Sequence, residues 1–204
     1  MADYSAAENF ILKKLESELP KNLTYHGVHH MFDVLNAALE IAANEGIINP
    51  EDLKLLRVAV LFHDAGFIHV YKGHEEIGCE MAKEFLPKFG FNEEQIKKIC
   101  GMIKATKLPQ EPRTHLERII ADADLDYLGR DDFYPIAKTL FDEWKVYLNI
   151  TDEKEWNRIQ SSFLANHHYH TDYSVNLREP EKQKRLREIK SRVDTPENHD
   201  AGGA

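Results

Sequence analysis

The run Val58-Ala59-Val60-Leu61-Phe62-His63-Asp64-Ala65-Gly66 constrains this chain more than any other stretch. Leu53, Leu55 and Leu56 precede it, so the segment leaves almost no polar face. A segment apolar on every side reads as the central, buried helix of a globular domain. It ends in an imidazole and a carboxylate. Burying both is costly unless something satisfies them. A divalent metal would do so, and Gly66 would let the backbone turn sharply past the site.

Composition sets the frame. At 204 residues with 42% hydrophobic side chains, the chain is long enough to bury a sizeable core. A net charge of −9 argues against a nucleic-acid surface, which needs clustered Lys and Arg. No apolar run reaches the roughly 18–20 residues that span a bilayer, and Met1-Ala2-Asp3-Tyr4 has no signal-like flank. The two cysteines, Cys79 and Cys100, lie in apolar helical patterns. They read as reduced core thiols of a cytoplasmic protein.

Helical signals run along the whole chain. Phe10, Ile11, Leu12, Leu15 and Leu19 mark a stripe over 4–19 that Pro20 ends. A helix over 24–45 stops at Gly46. Asn49-Pro50-Glu51-Asp52 opens the helix that runs into His63-Asp64. Residues 67–73 read as a loop, and helix 74–89 follows. Asn92 with Gln95, and Thr114 with Glu117, read as capping boxes for helix 92–106 and for the helix that Gly129 ends. Helices 131–149 and 151–168 are aromatic-rich. Residues 178–193 read as a charged surface helix, and 194–204 as a flexible tail. No stretch alternates with period two. The expectation is an all-α array of about eight or nine helices forming one domain over 1–193.

The chemistry lies in histidines and aspartates. Tyr25-His26-Gly27-Val28-His29-His30 places His26 and His30 four apart, on one face of the helix over 24–45. His63-Asp64 follows, then Ala123-Asp124-Leu125, with Asp122 and Asp126 on either side. By helix geometry Asp122 and Asp126 share one face and Asp124 points elsewhere, so either the pair or the lone residue could meet a metal.

His30, His63-Asp64 and Asp124, in this order, resemble the HD superfamily of metal-dependent phosphohydrolases over roughly residues 20–130. The resemblance implies a compact HD-like helical fold and metal ligands His30, His63, Asp64 and Asp124. The Ala-Asp-Leu pattern is what chooses Asp124. The resemblance also implies hydrolysis of a phosphoester, a nucleotide or related small molecule. Asp64 doubles as ligand and catalytic group near the attacking water. The Tyr-His-x-x-x-His spacing is similar to the cyclic-nucleotide phosphodiesterase branch, which makes His26 the general acid. Such a ligand set suits Mn, Fe, Zn, Co or Ni.

Two-metal relatives carry further histidines after the His-Asp helix. Gly73-His74-Glu75 resembles one such segment, so His74 is a possible contact to a second ion or to substrate, as is Asp126. Where a further histidine would fall, the chain has Ile103-Lys104-Ala105-Thr106. An ammonium repels a second cation and attracts phosphate. The expectation is one tightly held ion, with Lys104 as the catalytic contact to a substrate oxygen. Two alternatives are a di-iron oxygenase of the same superfamily, and a metal-containing nucleotide-binding domain without turnover. Neither a nucleic-acid nor a membrane partner is expected. His167-His168-Tyr169-His170 reads as a His-rich surface helix end.

Overall fold

The computed structural model describes residues 2–194; of the tail expected over 194–204, Asp194 is the last residue of a helix and the rest lies outside the described residues. Among the described residues there are ten α-helices and no strand: α1 (Tyr4–Glu18), α2 (Val28–Asn44), α3 (Pro50–His63), α4 (His74–Phe85), α5 (Glu93–Ala105), α6 (His115–Asp124), α7 (Phe133–Tyr147), α8 (Glu153–Asn166), α9 (Asp172–Leu177) and α10 (Glu179–Asp194). Short 3-10 turns at Ala65–Ile68, Leu86–Phe89 and Asp126–Gly129 follow α3, α4 and α6. No helix is long and apolar enough to cross a membrane.

The caps form as their residue types require. The Asn49 side chain accepts the Glu51 N–H, and Pro50 occupies the first turn of α3, where no partner for its nitrogen is needed. Both capping boxes, Asn92–Gln95 and Thr114–Glu117, are reciprocal. α3 packs against α1, α2, α4, α5 and α6. Its residues Val58 to His63 are all buried. Burying a side chain of Leu or Phe size stabilises by roughly 1.5–3 kcal/mol. That gain is what can hold an imidazole and a carboxylate in the interior.

The apolar side chains fall into two cores. One joins α1 to α6 around α3. The other gathers Tyr25 and the 125–128 segment with Phe133, Phe141, Trp156, Leu164, Leu186 and Ile189, from α7, α8 and α10. The cysteines belong to the first core and are unpaired thiols.

Several boundaries differ from the periodicity. α2 begins at Val28, with Gly27 as its N-cap, so His26 lies in the preceding turn and not on the helix. Pro87 makes residues 86–89 a separate 3-10 turn. α8 ends at Asn166. His167–His170 is an extended link rather than a surface helix end, and His167 and Tyr169 are buried. Asp122 holds this link: it accepts the N–H of His170 (2.8 Å) and the N–H and hydroxyl of Thr171 (2.8 and 2.6 Å). The short α9 follows it.

α10 is no surface helix either. Leu186 and Ile189 are buried, and so are Lys182 and Arg185. The four share one helix face, where long basic side chains contribute their aliphatic stems to the stripe. The Lys182 ammonium, wholly enclosed, donates to the His167 carbonyl and pairs with Glu179 at 2.9 Å.

Burial, reinforced by the Lys182 charge, pushes His167 down to about 3. Burial lowers His170 as well. Their ordinary value is about 6.5. Between these limits the unfolded chain binds a proton that the folded chain refuses, so stability falls as pH drops from about 6.5 toward 3. His167 accounts for up to about 1.4 kcal/mol per pH unit. Urea unfolding across this range should show a shallower acid limb for His167→Gln than for the parent chain. Equal slopes would refute the assignment.

Candidate metal centre

The end of α3 sets the centre. The His63 Nδ1–H donates to the Val60 carbonyl at 2.6 Å, which leaves its Nε2 lone pair facing inward. Asp64 caps the helix immediately after it. His30, one turn into α2, brings its Nε2 to 3.1 Å from Asp124 Oδ1 and 3.6 Å from Asp64 Oδ2. His63 Nε2 lies 3.4 Å from Asp124 Oδ1 and 3.3 Å from Asp64 Oδ2. Ligand atoms of His30, His63 and Asp124 all fall within 4.8 Å of one another.

Charge in this cluster is balanced internally. Burial opposes ionisation of Asp64, but the adjoining His63, with His74 and His26, holds it well below the usual carboxylate range. Asp124 likewise, against its burial, is lowered to about 2 by His30 and His63. Burial lowers His63, yet Asp64 and Asp124 outweigh it and raise the imidazole well above its ordinary value.

The residues fit a divalent ion. His63 Nε2 and Asp64 Oδ2 are buried, and neither has a hydrogen-bond partner among the described residues. They lie 3.3 Å apart with no hydrogen bond between them, and a cation shared by the two would satisfy both. A set of imidazole nitrogens and carboxylate oxygens suits a first-row transition ion.

Asp64 also faces a second histidine. Its Oδ1 lies 3.3 Å from His74 Nε2, while His74 Nδ1 points at the Tyr71 carbonyl at 3.4 Å. The approach of α4 depends on two glycines. A Cβ at Gly66 would sit 2.0 Å from the His74 carbonyl oxygen, and one at Gly78 would sit 2.8 Å from the Phe62 carbonyl oxygen. Gly66 is therefore needed for close approach. The sharp turn expected of it falls at Gly73, which has φ +76°.

His26 stands beside the cluster, held by a residue that periodicity did not single out. Its Nδ1 lies 2.5 Å from Glu143 Oε1, and Glu143 Oε2 accepts the N–H groups of Tyr25 and His26 at 2.8 and 3.0 Å. The Tyr71 hydroxyl donates to Glu143 Oε1 at 2.9 Å. Glu143 is wholly buried in α7. Burial opposes its ionisation, but the hydrogen bond from His26 and the two N–H donors lower its pKa. In the sequence it stands next to Asp142 within a surface-like Phe-Asp-Glu-Trp run, and nothing there separates it from a solvated acid.

Two expected site residues lie elsewhere. Asp126 accepts from Arg178 at 2.7 Å and lies 3.7 Å from Arg130, so it anchors the start of α10 rather than an ion. It follows the end of α6 in a 3-10 turn, out of phase with Asp124. Lys104 is exposed and does not line the cavity. The inward positions at that end of α5 are Ile103 and Thr106, one residue before and two after it.

His26, Asp64, His74 and Asp124 line one end of a 380 Å³ cavity, and His30 and His63 are not part of its lining. Lys72 and Lys107 also line it. Lys107 is paired with Glu76.

The model of the HD domain matches residues 27–126. This span starts at the N-cap of α2 and takes in His30, His63-Asp64 and Asp124. A crystal structure from an uncultured Thermotogales bacterium, described as a predicted HD superfamily hydrolase, is similar in fold with a TM-score of 0.58. It is 21% identical, and the alignment covers 91% of this chain and 90% of that one. The comparison with curated proteins gives no match. The helical order, the matched span and the convergence of His30, His63, Asp64 and Asp124 lead to one assignment: residues 27–126 form an HD domain.

Proposed function

We propose that the chain is a metal-dependent hydrolase of a small-molecule phosphoester, a nucleotide or a related compound. The observation that carries this reading is the pair of buried atoms without a hydrogen bond, His63 Nε2 and Asp64 Oδ2, 3.3 Å apart, next to a cavity that Asp64 itself lines together with His26 of the His26–Glu143 dyad. His30, His63, Asp64 and Asp124 would hold one divalent ion. The chemistry such an ion supplies is activation of water and neutralisation of charge on the phosphoryl oxygens. Asp64 Oδ1 lies 3.3 Å from His74 Nε2 and Glu75 Oε1 3.6 Å from it, but among the described residues these three do not close into a mutually close set as His30, His63 and Asp124 do. One tightly held ion is the reading this supports, and it weighs against the di-iron alternative.

The chain's own residues carry the proton to the leaving group. The Nδ1–H of His26 donates to Glu143, so Nε2 is the atom that gives a proton to the departing oxygen. Glu143 is a positioning residue: it fixes the ring and the tautomer, much as a carboxylate does for a catalytic imidazole in hydrolases. Phe67 stacks on the same ring at 4.3 Å between centroids. Lys72, at the turn before α4, takes the anion-binding role expected of Lys104.

Asp64→Ala should bind no stoichiometric ion when measured by elemental analysis. Added Mn²⁺ should raise the melting temperature of the parent chain and leave that of the variant unchanged. Full occupancy in the variant would overturn the ligand assignment.

His26→Ala should retain the ion yet slow hydrolysis of alkyl phosphoesters by roughly 10²–10⁴. A nitrophenyl ester, whose leaving group needs no proton, should lose much less. Glu143→Gln should show the same dependence on leaving group at smaller amplitude. Equal losses on both esters would point away from proton transfer.

A further inference from the structure

The cavity has two unlike halves. Beyond the ionic end its lining is an apolar face of the second core, where α7 and α8 face each other. On α7, Phe133, Leu140 and Trp144 follow one helical face, and on α8, Trp156, Ile159 and Phe163 do the same. In a closed bundle these stripes would interdigitate. Here they meet where Trp156 packs on Phe141 and Trp144, both at 5.3 Å between centroids, and elsewhere they line open volume. Leu140, Trp144, Ile159 and Phe163 are only half-buried.

Polar groups are scarce in this arm. Gln160 on α8 supplies a side-chain amide. The Tyr71 hydroxyl is already given to Glu143. A sugar or a second phosphate placed here would surrender its water without replacement partners. Charge balance agrees. Lys107 is engaged by Glu76, and the lining acids include the buried Glu75. With the charge of one divalent ion offset by Asp64 and Asp124, Lys72 is the positive charge left over, which suits a single phosphoryl group better than a chain of them. A triphosphate would set further negative charge against Glu75 or among aromatic rings.

We infer that the preferred substrate is a monophosphate ester of a bulky apolar alcohol, alkyl or aryl, whose hydrocarbon part fills the α7–α8 arm. The inference rests on the hydrolase reading above and, within small-molecule phosphoesters, places apolar monoesters ahead of nucleotides. The phosphoryl group sits at the His26, Asp64 and Asp124 end. The volume of the cavity lies in the range of pockets that enclose most of a small ligand.

The experiment uses the Mn²⁺-loaded chain and two series. The first is binding of non-hydrolysable alkylphosphonates of rising chain length, by calorimetry. Affinity should climb about fourfold per methylene until the arm is full. The second is kcat/KM for the matching alkyl phosphates, with glycerol phosphate, a nucleoside monophosphate and a nucleoside triphosphate alongside. The longer alkyl esters should exceed all three polar compounds by at least tenfold. Ile159→Asn and Leu140→Asn, both at half-buried positions, should each flatten the chain-length slope. Affinity independent of chain length, or tighter binding of the triphosphate than of any alkylphosphonate, would overturn the inference. Rising affinity without turnover of any ester would support the arm as an apolar-monoester site and refute the hydrolase reading instead.

Discussion

His63 and Asp64 sit at the end of a helix whose last six residues are all buried, and the arrangement around them follows from satisfying two ionisable groups there. The Val60 carbonyl takes one proton of the His63 ring. His30 comes from α2 and Asp124 from α6, each from a helix packed on α3. The resulting cluster alternates imidazole and carboxylate, so that each buried charge lies within ion-pair distance of its opposite. Breaking such a pair typically costs several kcal/mol, because it leaves an uncompensated charge behind. The core around α3 supplies the apolar burial against which that cost is set.

The second constraint is the cavity, whose apolar wall belongs to the second core and whose ionic wall comes from the ends of α3 and α6 and the start of α4. Glu143 ties the two walls together. It reaches from α7 to the backbone of Tyr25 and His26 and to the hydroxyl of Tyr71. The helix that forms one wall of the apolar arm therefore also holds the ring that would donate a proton. Behind the site, Asp126 binds Arg178, and a Cβ at Gly129 would meet the Arg178 carbonyl at 2.3 Å. The C-terminal helix is thereby seated against the turn that follows Asp124.

Much of this was legible in the residues. Caps, proline positions and apolar stripes gave most of α1 to α6, because local chemistry decides those boundaries. The order of His30, His63-Asp64 and Asp124 marked a cluster that long-range packing then assembled. His26 misled because a spacing of four suggests one helix, whereas Gly27 starts the helix after it. Lys104 misled because helical phase at the end of α5 turns Ile103 and Thr106 inward instead. α10 was misread because its buried stripe includes Lys182 and Arg185, whose charges hide their stems in any hydropathy pattern. Glu143 was invisible, since only tertiary structure brings it 117 residues back along the chain to His26.

The glycine contacts at 66 and 78 have a consequence for how a chain of this plan can diverge. On that side of the cavity backbone rests on backbone, so a larger side chain at either position would have to move α4 and His74 with it. The wall that carries the ionic groups is thus frozen at the level of main chain. The opposite wall presents only side chains, from α7 and α8, and these can be exchanged one at a time without shifting a helix axis. Variation in ligand size and polarity has its easiest route through positions 140, 144, 159 and 163. The reactive chemistry and the choice of ligand are in this sense inherited separately, on two faces of one cavity.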